Sequence, residues 1–244
     1  NTHLFELTGD AKYFNEAEVT LINSVYQHQH TDGIQWSYMV IPNQERPKYV
    51  PAYHCCGSSL PRGLEMYSSH LAGERGDILS VNTLSPSTIQ LTEKFGGGTV
   101  KIEGDFPLES SATIKFETVK KKKFTLEFRI PANSSLASVR VNGESTKTET
   151  NERGFAELTR KWQKGDVVSI DMDYTLKAYL QSGEEGVKWV AFTYGPFALA
   201  QKISKMPDEE PFKNLDTLVP AEIKRMLSKS PASETEFSIK GTDI

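Results

Sequence analysis

Eight short β-rich segments separated by turn residues run from residue 78 onward, and they restrict the fold more than any other feature. They read ILSVNTL, TVKIEGDF, ATIKFETV, FTLEFRI, SVRVNGE, GFAELTR, VVSIDMDY and VKWVAFTYG. In FTLEFRI, Leu126, Phe128 and Ile130 alternate with other residues, as in a strand with one buried face. VNGE at 141–144 carries the Asn-Gly pair of a tight hairpin. The series predicts an antiparallel β-sandwich.

The residues before this series have a helical pattern. In HLFELTGD, Gly9 is placed to end one helix and Asp10 to cap the next. The next helix has apolar residues at helical spacing, namely Phe14, Ala17, Leu21 and Val25. A third helix is predicted through LPRGLEMYSSHLA, ending at Gly73. The proline-rich residues 34–54 between them predict an irregular loop.

These patterns predict an α+β, mainly β chain with three parts. Residues 1–76 are helical, 77–205 form the sandwich, and 206–244 are an extension with a short helix, PAEIKRMLSK, and a strand, EFSIK. Three helices are too few to close a helical domain of their own. Either they pack on the sandwich, or they are the last part of a larger helical domain.

Charge and hydropathy exclude some classes of partner. The chain has 244 residues and a net charge of −4, which does not suggest nucleic acid or an acidic membrane as a partner. The basic run Lys120–Lys123 lies between two predicted strands and is interpreted as a solvated turn. No apolar run approaches the ~20 residues of a membrane span.

The two cysteines of the chain are adjacent, Cys55 and Cys56, in the stretch YHCCGSS. A disulfide prefers Cα atoms ~4.4–6.8 Å apart, whereas a trans peptide holds neighbours at ~3.8 Å, so the pair is expected to be reduced or bound to metal. A thiolate is both a nucleophile and a soft metal ligand. Free cysteine is also among the most buried residue types, so an inert buried pair at a helix start stays open as an alternative.

Other candidate ligands are weaker. His54 adjoins the cysteines, but His28 and His30 are two residues apart and point to different faces of a helix, so both cannot easily reach one metal ion. Glu16, Glu18 and Glu45 are the candidate carboxylates upstream of the pair, and we expect Glu16 and Glu18 on the helix surface.

Several stretches of the sequence, taken together, resemble a known protein family. LFELTGDAKYFNEAEVTLINSV resembles a characteristic helix pair, with Glu18 and Asn23 in place, and YHCCGSSLPRGLEMYSSHL resembles a Cys-Cys loop with its following helix. FTLEFRIPANSSLASVRVNGE, GFAELTRKWQKGDVVSIDM and VAFTYGPFALA resemble segments that come after that helix. Their order resembles glycoside hydrolase family 127, the β-L-arabinofuranosidase group, over the C-terminal portion of its members.

The resemblance implies a fold and an activity. Family members have an (α/α)6 barrel followed by β-sandwich modules, so residues 1–76 would be the last helices of the barrel. The reaction is retaining hydrolysis of β-L-arabinofuranosides at a zinc ion held by three cysteines and one glutamate. By resemblance, Cys55 is the nucleophile and a zinc ligand, Cys56 is a second zinc ligand, and Tyr38 faces the carbohydrate substrate.

The resemblance also implies that part of the site is missing. The third cysteine, its neighbouring glutamate and the acid/base glutamate belong to segments upstream of residue 1. This chain is therefore expected to be inactive by itself, and a helical N-terminal domain or a second copy of the chain would be its partner. A bacterial source is expected, in an undetermined compartment. The alternative function is a non-catalytic carbohydrate-binding or scaffold sandwich.

Overall fold

A computed structural model describes residues 1–38, 49–50, 55–182, 188–199, 227–229 and 237–239. The helices are α1 Thr2–Thr8, α2 Ala11–Thr20, α3 Tyr26–His28 and α4 Cys55–Ser68, and a π-helical turn Leu21–Val25 joins α2 to α3. The strands are β1 Trp36–Ser37, β2 Tyr49–Val50, β3 Ala72–Arg75, β4 Ile78–Val81, β5 Ser87–Gln90, β6 Thr99–Glu103, β7 Ser111–Phe116, β8 Lys122–Arg129, β9 Ser134–Val141, β10 Glu144–Ser145, β11 Phe155–Trp162, β12 Val167–Tyr174, β13 Leu176–Ser182, β14 Lys188–Tyr194, β15 Phe197–Ala198, β16 Leu227–Lys229 and β17 Phe237–Ile239. Within these ranges, no helix is long and apolar enough to cross a membrane.

Two sheets form the predicted sandwich. One has the strand order β10-β9-β12-β7-β6-β5, and the other has the order β11-β8-β4-β3. Described neighbours in both sheets are antiparallel, except that β4 pairs with β8 in parallel, with Ile78 opposite Thr125. The mainly β, antiparallel prediction is therefore confirmed apart from this pair. The last predicted sandwich segment, VKWVAFTYG, instead forms β14 in a separate sheet, β13-β14-β15.

The core between the sheets follows the predicted alternation. Leu126 and Phe128 on β8 are fully buried, and Ile130 just after the strand is 7% exposed. At the predicted hairpin turn, Asn142 and Gly143 have φ values of 55° and 85°. Positive φ at both central residues is what a type I′ hairpin turn requires, and β9 and β10 pair on either side of it.

Helices α1 and α2 cover part of the outer face of the four-stranded sheet. Phe5 and Phe14 form an aromatic cluster with Phe155 of β11. The Phe5 ring centroid lies 5.1 Å from that of Phe14 and 6.3 Å from that of Phe155. Phe155 is fully buried although it lies on the outer face of its strand. The helices thus pack on the sandwich, and the (α/α)6 barrel to which the resemblance assigns them stays a prediction.

The predicted boundaries differ from the structure in two places. Helix α4 begins at Cys55 rather than at Leu60, and it ends at Ser68 rather than Gly73, because Ala72–Arg75 pairs with Ile78–Val81 as the first hairpin. The predicted boundary after residue 76 lies in the turn of this hairpin. In the extension, the last three residues of the predicted helix, 227–229, pair with Phe237–Ile239 as strands. The division into three domains stays a prediction.

Candidate functional site

Cys55 is the first residue of α4, and its side chain is exposed. The Ser58 hydroxyl donates to the Cys55 carbonyl oxygen at 3.0 Å, within the first turn of the helix. Cys56 is the next residue of α4, and the description does not extend to its side chain. An inert buried pair is therefore wrong for Cys55, which stands where a solvent-borne reagent can reach it.

Tyr38 directly follows β1 and is 49% exposed. Strand β1 pairs with β2, with Trp36 opposite Val50, and α4 packs beside β1. Tyr38 and Cys55 are thus carried by neighbouring elements. The predicted roles of both residues, and of Cys56, stay predictions.

The histidines have separate partners. His28 Nδ1 lies 3.1 Å from the Ser37 carbonyl oxygen, whereas His30 Nδ1 lies 3.0 Å from Asp32 Oδ2. His54 and Glu45 lie outside the described residues. In the described part of the chain, no three His, Cys, Asp or Glu side chains are grouped so that they could hold a metal ion. The two thiols suit zinc in kind, but a structural or catalytic zinc site needs further ligands.

A buried ion pair lies where α2 crosses the sheet. Glu18 of α2 and Arg129 of β8 have side chains only 1% exposed, and Arg129 Nη2 lies 2.5 Å from Glu18 Oε1. Arg129 Nε donates to the Asn82 carbonyl oxygen at 2.5 Å, and its Nη1 donates to Asn15 Oδ1. The predicted surface position is correct for Glu16 but wrong for Glu18, because α2 packs that face against the sheet.

Tyr67 connects this ion pair to the cysteine helix. It lies in the last turn of α4, where its hydroxyl donates to Glu18 Oε1 at 2.9 Å and lies 3.0 Å from Thr83 Oγ1. Burial, reinforced by the Glu18 charge, raises the pKa of Tyr67 far above its usual range, so the hydroxyl stays protonated. Its ring stacks on Phe14 at 5.1 Å. Helix α4 is thereby joined to both α2 and the sandwich.

Asn23 joins the π-helical turn to a third sheet, β13-β14-β15. Its amide nitrogen donates to the Val19 and Pro196 carbonyl oxygens at 2.8 and 2.7 Å, and its amide oxygen accepts from the Ala198 N–H at 2.7 Å. Glu18 and Asn23, which carried the helical part of the resemblance, are therefore both engaged in tertiary contacts.

A cavity of about 400 Å³ lies between these elements. Glu18, Asn23, Tyr67, Leu108 and Phe197 are among its lining residues. Neither Cys55 nor Tyr38 lines it, so the cavity is separate from the predicted site.

Sequence reasoning missed Arg129, but two signals pointed to the cluster. Glu18 falls four residues after Phe14 and three before Leu21, so it lies on the apolar stripe of its helix. Arg129 and Glu127 occupy the outward positions of FTLEFRI. Both are only 1% exposed, which requires that another element cover that face.

Comparisons with known proteins agree with this architecture. The family model for "Beta-L-arabinofuranosidase, GH127 middle domain" matches residues 78–174. No curated protein sequence matches the chain. A solved glycoside hydrolase superposes with a TM-score of 0.65 and 25% identity over 80% of this chain and 35% of its own length.

Two further solved structures carry the same family name. A GH127 β-arabinofuranosidase has a TM-score of 0.66 and 25% identity over 81% of this chain and 34% of its own. A GH127 β-L-arabinofuranosidase from Geobacillus stearothermophilus T6 has a TM-score of 0.65 and 24% identity over 80% and 33%. The chain spans about a third of the length of these structures.

Proposed function

We propose that this GH127-like chain is part of a glycoside hydrolase that cleaves β-L-arabinofuranosides with retention of configuration, with Cys55 as its nucleophile. The match of residues 78–174 to the GH127 middle domain is the observation that carries the proposal. The fold likeness, which extends over about 80% of the chain and so beyond the sandwich, supports it. The exposed position of Cys55 is compatible with attack on a substrate.

Each of the three predicted site residues has a proposed role. The Cys55 thiolate attacks the anomeric carbon and forms a carbon–sulfur bond as the glycosidic carbon–oxygen bond breaks. A carboxylic acid protonates the departing oxygen and then takes a proton from the water that releases the sugar from sulfur. Cys55 and Cys56 would hold zinc, which when bound keeps thiols deprotonated at neutral pH. Tyr38 would contact the sugar.

The chain alone does not supply every group that this chemistry requires. Its cysteines provide two thiolates, whereas the zinc site implied by the family has four ligands. In the proposal, the third cysteine, its glutamate and the acid/base glutamate come from residues outside this sequence, either in the same polypeptide or in a second copy. The isolated chain is then expected to be inactive.

Hydrolysis of a chromogenic β-L-arabinofuranoside tests the nucleophile. The assay compares this chain with the complete gene product that contains it. In the complete product, Cys55→Ala should lower kcat/KM by about 10³-fold or more. Ser59→Ala is the matched control, because Ser59 is an exposed residue of the same helix that bonds only to Arg62 among the described contacts. Full activity in Cys55→Ala would remove this residue from the mechanism.

Metal analysis of the same protein tests the zinc assignment. Bound zinc should be stoichiometric in the complete product and should be lost in Cys56→Ala. A complete product that binds arabinan, contains no zinc and hydrolyses nothing would instead favour the non-catalytic carbohydrate-binding module.

A further inference from the structure

The cavity beside the π-helical turn has a volume of about 400 Å³, within the ~300–1,000 Å³ of typical small-molecule sites. The turn supplies Leu21, Ile22 and Asn23 to its lining, and the residues just after the turn supply Tyr26 and Gln27. The other walls come from α2, α4, β15 and the loops that follow β4 and β6. Because π-helical turns are rare and occur frequently at functional sites, this cavity is a candidate binding site.

Hydrogen bonds hold the walls of the cavity in place. The Tyr174 hydroxyl donates to the Pro107 carbonyl oxygen at 3.0 Å and so anchors the loop after β6. The Asn23 amide oxygen accepts from the Ala198 N–H at 2.7 Å and so anchors β15. Tyr67 is fixed on the α4 side by its bond to the buried ion pair. The shape of the cavity is therefore set by tertiary contacts of the protein itself.

Three polar groups of the lining have hydrogen-bonding capacity to spare. The Tyr26 hydroxyl and the Gln27 amide have no hydrogen-bond partner within the described ranges. Glu18 Oε2 also has none there, although the Glu18 side chain is only 1% exposed. Buried oxygens without a partner are uncommon. Since Glu18 lines the cavity, a hydroxyl group bound in it is placed to donate to this carboxylate.

The charge of the lining favours a neutral ligand. In the described part of the chain, Glu18 is the only charged residue that lines the cavity, and Arg129 already balances it at 2.5 Å. The basic run Lys120–Lys123 lies elsewhere, and its last two residues begin β8 instead of lying in the predicted turn. The cavity thus offers no cation to an anionic ligand and no unbalanced negative charge to a cationic one.

Apolar side chains form the rest of the lining, among them Leu108 and Phe197. Tyr26 is 52% exposed and Leu108 is 68% exposed, so both lie on the open side of the cavity. A tyrosine ring combines an apolar face with a polar tip. A sugar matches this combination, because its C–H face packs on an aromatic ring while its hydroxyl groups bond to amides and carboxylates.

We propose that this cavity binds a neutral sugar unit, with the C–H face of the sugar on Tyr26 and its hydroxyl groups directed to Gln27 and Glu18. The absence of an unbalanced charge and the open polar groups carry the neutral, hydroxyl-bearing character of the ligand. The choice of a sugar among such ligands rests on the proposed function, because a glycan-cleaving protein meets sugars as both substrate and product.

Titration of the isotope-labelled chain with L-arabinose, followed by nuclear magnetic resonance, tests the proposal. Backbone amide signals of Asn23, Gln27 and Ala198 should shift together and reach saturation. Replacing both Tyr26 and Gln27 by alanine should weaken binding about tenfold or more, because the ring contact and a hydrogen bond are lost. Tyr179→Ala is the matched control, since Tyr179 is 46% exposed and does not line the cavity; it should alter affinity less than about twofold.

Charged sugars test the electrostatic part of the proposal. Galacturonate carries a negative charge and galactosamine a positive one, and both should bind more weakly than L-arabinose, because the lining compensates neither charge. Four results would overturn the proposal: no shift of the cavity amides, equal weakening by the control variant, tighter binding of either charged sugar, and equal binding of glycerol.

The test is separate from that of the proposed function, since it needs neither hydrolysis nor Cys55. Cys55→Ala should leave the shifts of the cavity amides unchanged. If L-arabinose shifted amides near Tyr38 but not those of the cavity, the cavity proposal would be wrong and the proposed function would stand. If Cys55→Ala kept full hydrolytic activity in the complete product while the cavity variant lost L-arabinose, only the mechanism would fall.

Discussion

The interior of the sandwich and its contact with the helices are both buried but are built from different chemistry. Between the sheets, the described core is apolar, and Trp162 stacks on Phe116 with ring centroids 4.6 Å apart. Under the helices, an aromatic cluster surrounds the charged pair Arg129–Glu18. The same strand, β8, supplies Phe128 to one region and Arg129 to the other.

The difference predicts how each region responds to substitution. An apolar core loses stability in proportion to the volume removed. A buried ion pair contributes little net energy while both partners are present, but removing one leaves an uncompensated buried charge. Helix α2, and α4 through Tyr67, are therefore held by a contact that tolerates joint replacement of the pair better than loss of either member.

Arg129→Leu should have the largest effect on the stability of the fold. It leaves the Glu18 carboxylate buried without its cation, so the free energy of unfolding should fall by about 3–5 kcal/mol in urea denaturation. Arg140→Leu is the matched control, because Arg140 pairs with Asp171 on the surface and should cost about 1 kcal/mol or less. Equal losses of unfolding free energy in the two variants would show that burial of the Arg129–Glu18 pair does not increase the cost of breaking it.

Leu126→Ala should cause the next largest loss of unfolding free energy, about 2–5 kcal/mol, because it opens a cavity in the sandwich core. A shift of the urea midpoint without a change in slope would show that stability fell while the surface exposed on unfolding stayed the same. A loss below about 1 kcal/mol would mean that the core around β8 is loosely packed.

Tyr67→Phe should cost about 1.5–3 kcal/mol, since it removes a hydrogen bond to a charged carboxylate while keeping the ring on Phe14. Amide hydrogen exchange should accelerate along α4 more than along β8. Tyr179→Phe is the control, because its hydroxyl bonds to neutral Asn133 at the surface. Uniform acceleration in both elements would argue against a specific connection between α4 and the ion pair.

Asp10→Ala should have the smallest effect, about 1 kcal/mol, through loss of the N-cap bond to the Lys12 N–H. The Lys12 side chain, and then its backbone N–H, lower the pKa of Asp10. The carboxylate therefore adds stability at pH values above the usual aspartate pKa, and this is lost as the pH falls through the lowered value. Asp10→Asn should keep the cap but flatten the acid limb of the stability curve; an unchanged limb would exclude Asp10 as its source.

Sequence patterns were sufficient for most of the sandwich. Alternation in FTLEFRI and the turn VNGE gave the correct face and hairpin, because both signals are local. Strand β3 was missed, since the residues Ala72–Arg75 have no alternation and their pairing with β4 is fixed by the tertiary fold. The parallel pairing of β4 with β8 is likewise a long-range property.

In the candidate site, too, some features follow from local sequence signals and others depend on long-range contacts. The position of Cys55 near a helix start follows from local signals. Its exposure does not, because the same signals also fit a buried pair. Burial of Glu18 depends on Arg129, which lies 111 residues along the chain, so neither residue reveals the pair by its own neighbours. Charged residues on an otherwise apolar stripe or strand are the trace that such a contact leaves in a sequence.

A double-mutant cycle on Arg129 and Glu18 tests most directly whether the helix contact differs from the apolar sandwich core. Unfolding free energies are measured for Arg129→Leu, Glu18→Leu and the double variant. We predict that the double variant is more stable than either single variant, with a coupling of about 2 kcal/mol or more, because no unpaired charge remains buried. Single effects that add to within about 0.5 kcal/mol would contradict the account and make the helix contact another apolar core.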